Sequence, residues 1–332
     1  MNLGLIYQEK KLFEIVTSLI LCYIRDMETN MKTINGSKTK WVNIPSPSTT
    51  DIELLEKEYN FHHLDLEDCL TENQRAKIDR YDDYTFLILH LPTLHSRTNR
   101  IVYEELNIFI SDSFLICLHD EHDFLNKLFN QALHNDIVAK DFMGSGSGYL
   151  LYKILNETFE SMFKIVDDLT RETNKIEREV FQTDNNRDML KDILLLKKDI
   201  INFRRIILPQ RTIIAQLEHM TFSKNDDDLE VYFDNVVDKI EKIYSSLENL
   251  NELVESLHQT NESIIFHNTN NVIKVLTVFS VVMLPLTFVT GFYGMNVVLP
   301  LQNSNNSVLW IVGIMLTILG SMLGYFKYKD WI

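Results

Sequence analysis

Glycine and proline are scarce in this chain, at 10 and 6 of 332 residues. Both turn or break a helix, so their scarcity predicts few tight turns and long uninterrupted helices. Cysteine is scarcer still. Cys22, Cys69 and Cys117 are scattered without metal-ligand spacing, which excludes a disulfide framework and a zinc ribbon. Positive charge is in deficit, with 32 Lys and Arg against 47 Asp and Glu and a formal net charge of -15. That balance disfavours a phosphate backbone, so no nucleic-acid partner is expected; it suits a surface that gathers cations, or ordinary solubility. Motifs for covalent chemistry are missing too. Gly144, Ser145, Gly146, Ser147 and Gly148 lack the Gly-Lys-Ser/Thr ending and the GxGxxG spacing of a nucleotide loop, and read as a flexible hinge. No Ser/His/Asp arrangement or nucleophile motif is present, so neither an enzyme nor an organic cofactor is expected.

What the chain does have is two long apolar runs near its end. Val275 to Met295 is 21 residues without a charge and Val308 to Phe326 is 19, each matching the roughly 20 residues that cross a bilayer. The connection Val297 to Ser307 carries no Lys or Arg, whereas Lys274 precedes the first run and Lys327 and Lys329 follow the second. By the positive-inside bias the outer flanks, and with them both termini and the large N-terminal part, are cytoplasmic. Tyr293, Gly294, Met295 and Asn296 then sit at the extracytoplasmic mouth of a two-helix membrane hairpin, where they form a candidate ion-access site.

About 270 residues remain for soluble structure, enough for a core of its own. Residues 1–39 read as an N-terminal extension or a start-site misassignment: Leu12 to Ile24 is apolar apart from Glu14 but too short to span, and Met31 begins an ordinary cytoplasmic N-terminus. Residues 40–143 read as a compact α/β domain. Its strands are expected at Trp41 to Ile44, Tyr84 to Leu91, Ile101 to Ile110 and Phe114 to Leu118. Helices are expected at Thr50 to Tyr59, capped from Ser48 to Asp51, around Leu66, Cys69 and Leu70, and from Asp123 to Leu133. Residues 144–228 form a helical hairpin: Leu155, Phe159, Met162, Phe163, Val166 and Leu169 recur at three- and four-residue steps, Thr183 to Asn186 interrupts, and a second helix runs from Arg187 to about Phe222. After Asp226, Asp227 and Asp228, which suit a helix N-terminus, a stalk helix starts at Leu229. It continues over 229–292 as the first membrane helix, roughly 95 Å at 1.5 Å per residue. Residues 293–307 are the extracytoplasmic loop, and 308–332 the second span with a basic tail. The class is an α+β membrane protein.

These residues resemble the CorA-type magnesium channels, whose signature is Gly-Met-Asn between two C-terminal transmembrane helices. Lys274 to Thr277, Pro285 to Thr287, Gly291, Tyr293 to Asn296 and Lys327 to Trp331 are similar to that family's pattern in order and spacing. So are Leu66 to Asp68, Asn73 to Arg75 with Lys77, and Tyr149 to Tyr152; the resemblance spans residues 40–332. It implies a funnel-shaped homopentamer in the plasma (inner) membrane, in contact with lipid and with other copies of itself. The first span of each copy would line a pore for magnesium, with cobalt and nickel as secondary ions. The sequence permits this, because Asn270, Ile273, Leu276, Ser280, Leu284 and Thr287 share one helical face, although ordinary helix packing also favours Ser and Thr at interfaces. Two spans alone cannot hide a polar lumen from lipid, so several copies are needed.

Magnesium sheds its water reluctantly, so a fast channel recognises the hydrated ion through neutral oxygens. In that role Asn296, with the Gly294 backbone, accepts hydrogen bonds from the ion's waters and Met295 packs to hold the turn. Asn270 and Thr287 add polar rings, and Leu276 and Leu284 form constrictions that dewet when closed. Asn296 also suits a helix C-cap. Several departures from the family pattern stand out. The outer loop has no acidic residue, only Gln302, Asn303, Asn305 and Asn306. Gln259 stands where many members place an acid near the cytoplasmic mouth, with Glu255 and Glu262 one turn away. His95 and Asn235 occupy the two positions that carry the intracellular magnesium sensor, so Asp234 and Asp238 are the substitutes expected to hold a regulatory ion. His119, Asp120, Glu121, His122 and Asp123 read either as a transition-metal cluster or as a solvated helix start. The alternatives to a magnesium channel are a zinc transporter of the same fold and a membrane-tethered coiled-coil sensor that transports nothing; the polar stripe argues against the latter.

Overall fold

A computed structural model of the full chain describes residues 29–71, 73–95, 97–181, 186–218, 220, 229–297, 299–300, 306–329 and 331. The apolar run Leu12 to Ile24 with Cys22, the interruption at 183–185, Asp226 to Asp228, and Gln302, Asn303 and Asn305 lie outside these residues. The elements are β1 (Lys32–Asn35), β2 (Lys40–Pro45), α1 (Thr49–Glu58), α2 (His63–Asp68), β3 (Lys77–Arg80), β4 (Thr85–Leu94), β5 (Ile101–Ile110), β6 (Phe114–His119), α3 (Asp123–His134), α4 (Asp136–Met143), α5 (Ser147–Val180), α6 (Asn186–Glu218), α7 (Leu229–Tyr293) and α8 (Ser307–Tyr328). They form two compact units. One comprises the residues up to Arg178 with Asp192–Glu255, and the other Glu179–Lys191 with Ser256–Ile332.

The first unit is built on a six-stranded sheet of order β1-β2-β6-β5-β4-β3, with β2 parallel to β6 and every other pair antiparallel. Trp41, Val42, Asn43 and Ile44 are all buried because helices cover both faces of β2. On one face Trp41 meets Phe129 edge-on at 5.0 Å and stacks on Phe142 of α4. On the other, Val42, Ile44, Phe86, Ile88 and Phe109 pack with Ile52 and Leu55 of α1 and with Phe61. Each such side chain taken from water contributes about 1.5–3 kcal/mol. Helix α1 starts where its capping box dictates: Ser48 Oγ accepts the Asp51 amide at 3.2 Å, and Asp51 Oδ2 accepts the Ser48 amide at 2.9 Å.

Three expectations are corrected. The sheet begins at Lys32, because β1 pairs antiparallel with β2, so the extension expected over 1–39 contributes a strand. β1 and β3 are four-residue polar edge strands without an alternating apolar face, and so escape a periodicity reading. The glycine-rich stretch expected as a hinge forms a tight turn, exposed at Gly144 and Ser145 and buried from Gly146 to Gly148. Gly144 donates to the Lys140 carbonyl at 2.9 Å, Gly146 adopts φ 116°, and Ser147 and Gly148 are buried residues that open α5.

Helices α5, α6 and the first part of α7 share a core of Phe159, Met162, Val166, Ile193, Ile200, Phe203, Phe233, Val236, Ile240 and Leu247. Asn156 and Glu160 of α5 meet Asn235 and Lys239 of α7, a constant offset of 79 that makes those helices parallel. Lys197, Arg204 and Arg211 of α6 meet Glu255, Glu248 and Glu241, which makes α6 antiparallel to both. In the second unit, Val278, Val282 and Leu286 of α7 pack against Leu319, Met322 and Phe326 of α8. Among the described residues, α7 and α8 are the two helices long and apolar enough to cross a membrane.

Candidate functional site: the α7 face and its C-terminal end

Helix α7 turns Val278 and Val282 toward α8, and this fixes what its opposite side presents. Asn270, Ile273, Leu276, Ser280, Leu284 and Thr287 are all exposed, with Leu276 at 60% and Leu284 at 72%. At 100° per residue this stripe lies on the side away from Val278, Val282 and Leu286, so α8 does not cover it. Its hydroxyls have a specific disposition. Ser280 Oγ donates to the Leu276 carbonyl and Thr287 Oγ1 to the Met283 carbonyl, both at 2.8 Å. Each proton is committed to the helix itself, which leaves the hydroxyl oxygen outward as an acceptor. Thr290 Oγ1 does the same toward Thr287 at 3.0 Å.

The helix ends at Tyr293. The Gly294 amide donates to the Thr290 carbonyl at 2.9 Å and the Met295 amide to the Phe292 carbonyl at 3.4 Å, so these two residues close the last turn. A Cβ built on Gly294 would lie 3.0 Å from that Thr290 oxygen, which makes this a position for glycine by close approach rather than by backbone angle. Asn296 lies in the bend beyond the closing bonds, so the capping role open to it from sequence falls to Gly294 and Met295. Met295 is 52% exposed, and the turn is held by backbone bonds rather than by Met295 packing within the chain. After α8, the Trp331 amide donates to the Phe326 carbonyl at 3.0 Å and its ring stacks on Phe326, folding the tail back on the helix.

The four positions expected to serve a regulatory ion are not gathered within one chain. His95 opens the β4–β5 turn: its amide donates to the Arg100 carbonyl, and its Nδ1 accepts from the amides of Arg97 and Thr98. Asn235 donates to Asn156 Oδ1 at 3.2 Å. Asp234 and Asp238 are exposed one turn apart on α7, and Asp238 borders a groove of 240 Å³ with Glu160, Phe163, Lys239 and Lys242. Among the described residues, no three Asp, Glu, His or Cys side chains stand in an arrangement that could hold a metal.

That last fact also removes the metal-cluster alternative for His119 to Asp123 and leaves the helix start. His119 is buried; its Nδ1 accepts the His122 amide at 2.9 Å, and its Nε2 meets Asn43 Oδ1 at 3.1 Å. Asn43 in turn donates to Asn126 Oδ1. His122 Nδ1 accepts the Leu125 amide and caps α3. Burial, with His122 nearby, pushes the His119 imidazole down to about 4, so it is neutral and its Nε2–H is the donor to Asn43. The histidines are a helix cap and a buried strut. A residue that carries no sequence signal stands beside them. Burial, with Asp120 and Asp123 nearby, raises the Glu104 carboxyl to about 7, and its Oε2 is buried without a hydrogen-bond partner.

Residues 36–328 match the family model described as CorA-like Mg2+ transporter protein. YfjQ of Bacillus subtilis (strain 168) is 27% identical over 88% of this chain and 89% of its own length. Cobalt/magnesium transport protein CorA of Thermotoga maritima is 24% identical over 92% of this chain and 87% of that protein. Among solved structures, the complete CorA magnesium transporter from Methanocaldococcus jannaschii matches with a TM-score of 0.78 at 22% identity, covering 91% of this chain and 94% of that one, which shows the fold. Since the family model covers most of the chain, including β2 to β6 of the sheet, the long helix and both candidate spans, this chain belongs to the CorA-like Mg2+ transporter family.

Proposed function

We propose that copies of this chain form a five-fold ring whose α7 helices enclose a channel that passes magnesium down its electrochemical gradient into the cytoplasm. The observation that carries this reading is the exposed α7 stripe, with Ser280 and Thr287 presenting acceptor oxygens on the side that α8 leaves open. A hydrated magnesium ion presents water hydrogens, so an acceptor-only wall suits it without stripping the inner shell. At the mouth, Asn296 and the Gly294 carbonyl accept from those same waters. Leu276 and Leu284, bulky and exposed, are the constrictions that dewet in the closed state, and Asn270 forms the polar ring toward the cytoplasm. A membrane anchor needs only apolar surface there, and a stripe of amide and hydroxyl groups facing lipid would cost free energy.

Lys274, Lys327 and Lys329, which flank the two spans on their outer sides, support a topology with both termini in the cytoplasm. Closure at high internal magnesium operates through an ion shared between copies at Asp234 and Asp238, because both carboxylates are exposed while His95 and Asn235 are engaged elsewhere. The decisive experiment is flux into liposomes holding the purified protein, comparing magnesium, cobalt, nickel and zinc, with native mass spectrometry of the same sample. Magnesium uptake by a pentamer supports the reading. Zinc flux without magnesium flux replaces it with a zinc transporter, and no flux of any ion removes the channel.

A further inference from the structure

Three basic residues of α6, Lys197, Arg204 and Arg211, recur at steps of seven. Each is paired with an acid of α7 that recurs at the same step in the opposite direction: Lys197 with Glu255, Arg204 with Glu248 at 3.5 Å, and Arg211 with Glu241. Tyr244 lies between the rungs, its ring 5.5 Å from the Arg204 guanidinium and 5.8 Å from that of Arg211, and its hydroxyl accepts from Arg204 at 3.4 Å. All three cations are on one helix and all three anions on the other. A shift of register therefore acts on every rung together. Sliding α7 by four residues in one direction would set Asn251, Tyr244 and Val237 against the three cations, and in the other direction Gln259, Glu252 and Ser245.

Helix α6 is itself tied to the sheet between two rungs. Asp199 is only 4% exposed, and its carboxylate accepts from the Arg100 guanidinium at 2.8 Å and the Ile101 amide at 3.4 Å. Arg100 closes the β4–β5 turn, and its carbonyl accepts the His95 amide. The buried end of this chain of contacts is the costlier one to break, because an uncompensated Asp199 charge is unfavourable. The rungs are half-exposed, individually weak and screened by salt.

We propose that α6 is an electrostatic rack that holds the long helix in one axial register, anchored to the sheet by Asp199 and released by salt or by charge reversal. Because α7 continues into the proposed pore lining, the rack sets the position from which the pore opens; this rests on reading α7 as the pore helix. Two states of such an element can be biased by a modest change in pairing.

The test uses the full chain in liposomes. The α6 triple variant (Lys197→Glu, Arg204→Glu, Arg211→Glu), the α7 triple variant (Glu241→Lys, Glu248→Lys, Glu255→Lys) and the six-fold combination are compared by magnesium influx against internal magnesium. Amide hydrogen exchange over residues 229–255 is followed in parallel. Each triple should displace the half-inhibition concentration by about twofold or more and speed exchange, and the six-fold swap should return both toward the parental values. High ionic strength should move the parental protein toward the triples. Parental behaviour in both triples, or a six-fold swap displaced as far as they are, overturns the rack. If the reversed triples do not assemble, the neutral set Lys197→Gln, Arg204→Gln, Arg211→Gln carries the same expectations. A parental protein without magnesium flux removes the channel reading, and the exchange data still decide the rack.

Discussion

The Gly294 amide donates to the Thr290 carbonyl at 2.9 Å, and a Cβ on Gly294 would approach that same oxygen to 3.0 Å. The bond that ends α7 and the tight space over Gly294 are thus one feature. Gly294→Ala should displace the turn by a few tenths of an ångström and carry Asn296 with it. Magnesium flux should fall at least tenfold, about the loss from removing one well-placed polar contact, with assembly retained. Asn296→Ala should lose the same flux without disturbing the turn. Liposome flux beside size-exclusion profiles checks both, and unaltered flux in the pair removes the mouth assignment.

The back-bonded hydroxyls lead to a narrower prediction. Thr287→Val keeps shape and deletes the outward acceptor, whereas Thr287→Ser keeps the acceptor and its bond to Met283. Valine should lower magnesium conductance several-fold, and serine should stay near the parental value. Ser280→Ala should act in the same direction as valine. Equal conductance in all three variants would mean that the stripe packs against protein and does not line water.

Much of this was legible in the sequence, and the limits have identifiable causes. The β5 strand, the capping box at Ser48 and the start of α7 at Leu229 carry local signals: alternating apolar residues, an Asp three residues after a Ser, and an unbroken apolar period. The signature at Tyr293 to Asn296 was visible because two charge-free runs frame it. β1 and β3 were not, since a four-residue polar edge strand is specified by its neighbour rather than by its own pattern. The histidines of the β6–α3 connection left a ligand reading open beside a helix start because sequence shows adjacency, whereas the partners Asn43 and Asn126 of this network come from distant positions. The seven-residue spacing of Lys197, Arg204 and Arg211 is likewise present in sequence, but which acids face it depends on helix packing.

Regulation gives a third prediction. Asp234 and Asp238 share the exposed side of α7, and among the described residues of one chain no third acid or histidine completes a site with them. Asp234→Ala with Asp238→Ala should weaken closure by internal magnesium and shift the half-inhibition concentration upward by about fivefold or more, the usual scale of coupling between sites. His95→Ala should leave the curve in place, because that imidazole serves its own turn. An inhibition curve unchanged by the double variant places the sensor elsewhere.

The last prediction concerns pH and lies outside the membrane. Burial and the neighbouring Asp120 and Asp123 raise the Glu104 carboxyl from an ordinary value of 4.5 to about 7. Between those values the folded protein holds a proton that the unfolded chain has released, so stability falls as pH rises from about 4.5 through 7. His119 acts in the other direction. Its folded value of about 4 lies below the ordinary 6.5, so the unfolded chain binds the extra proton and stability is lost as pH falls from 6.5 toward 4. Glu104→Gln removes the first effect and leaves the second. It should therefore raise the melting temperature at pH 8, where the parental carboxylate is charged and its Oε2 unpartnered, and change little at pH 5, where that carboxyl is already neutral. Thermal unfolding of the two full-length proteins across this range checks it. A gain from Gln that is equal at both pH values would mean that Glu104 is not the group that titrates.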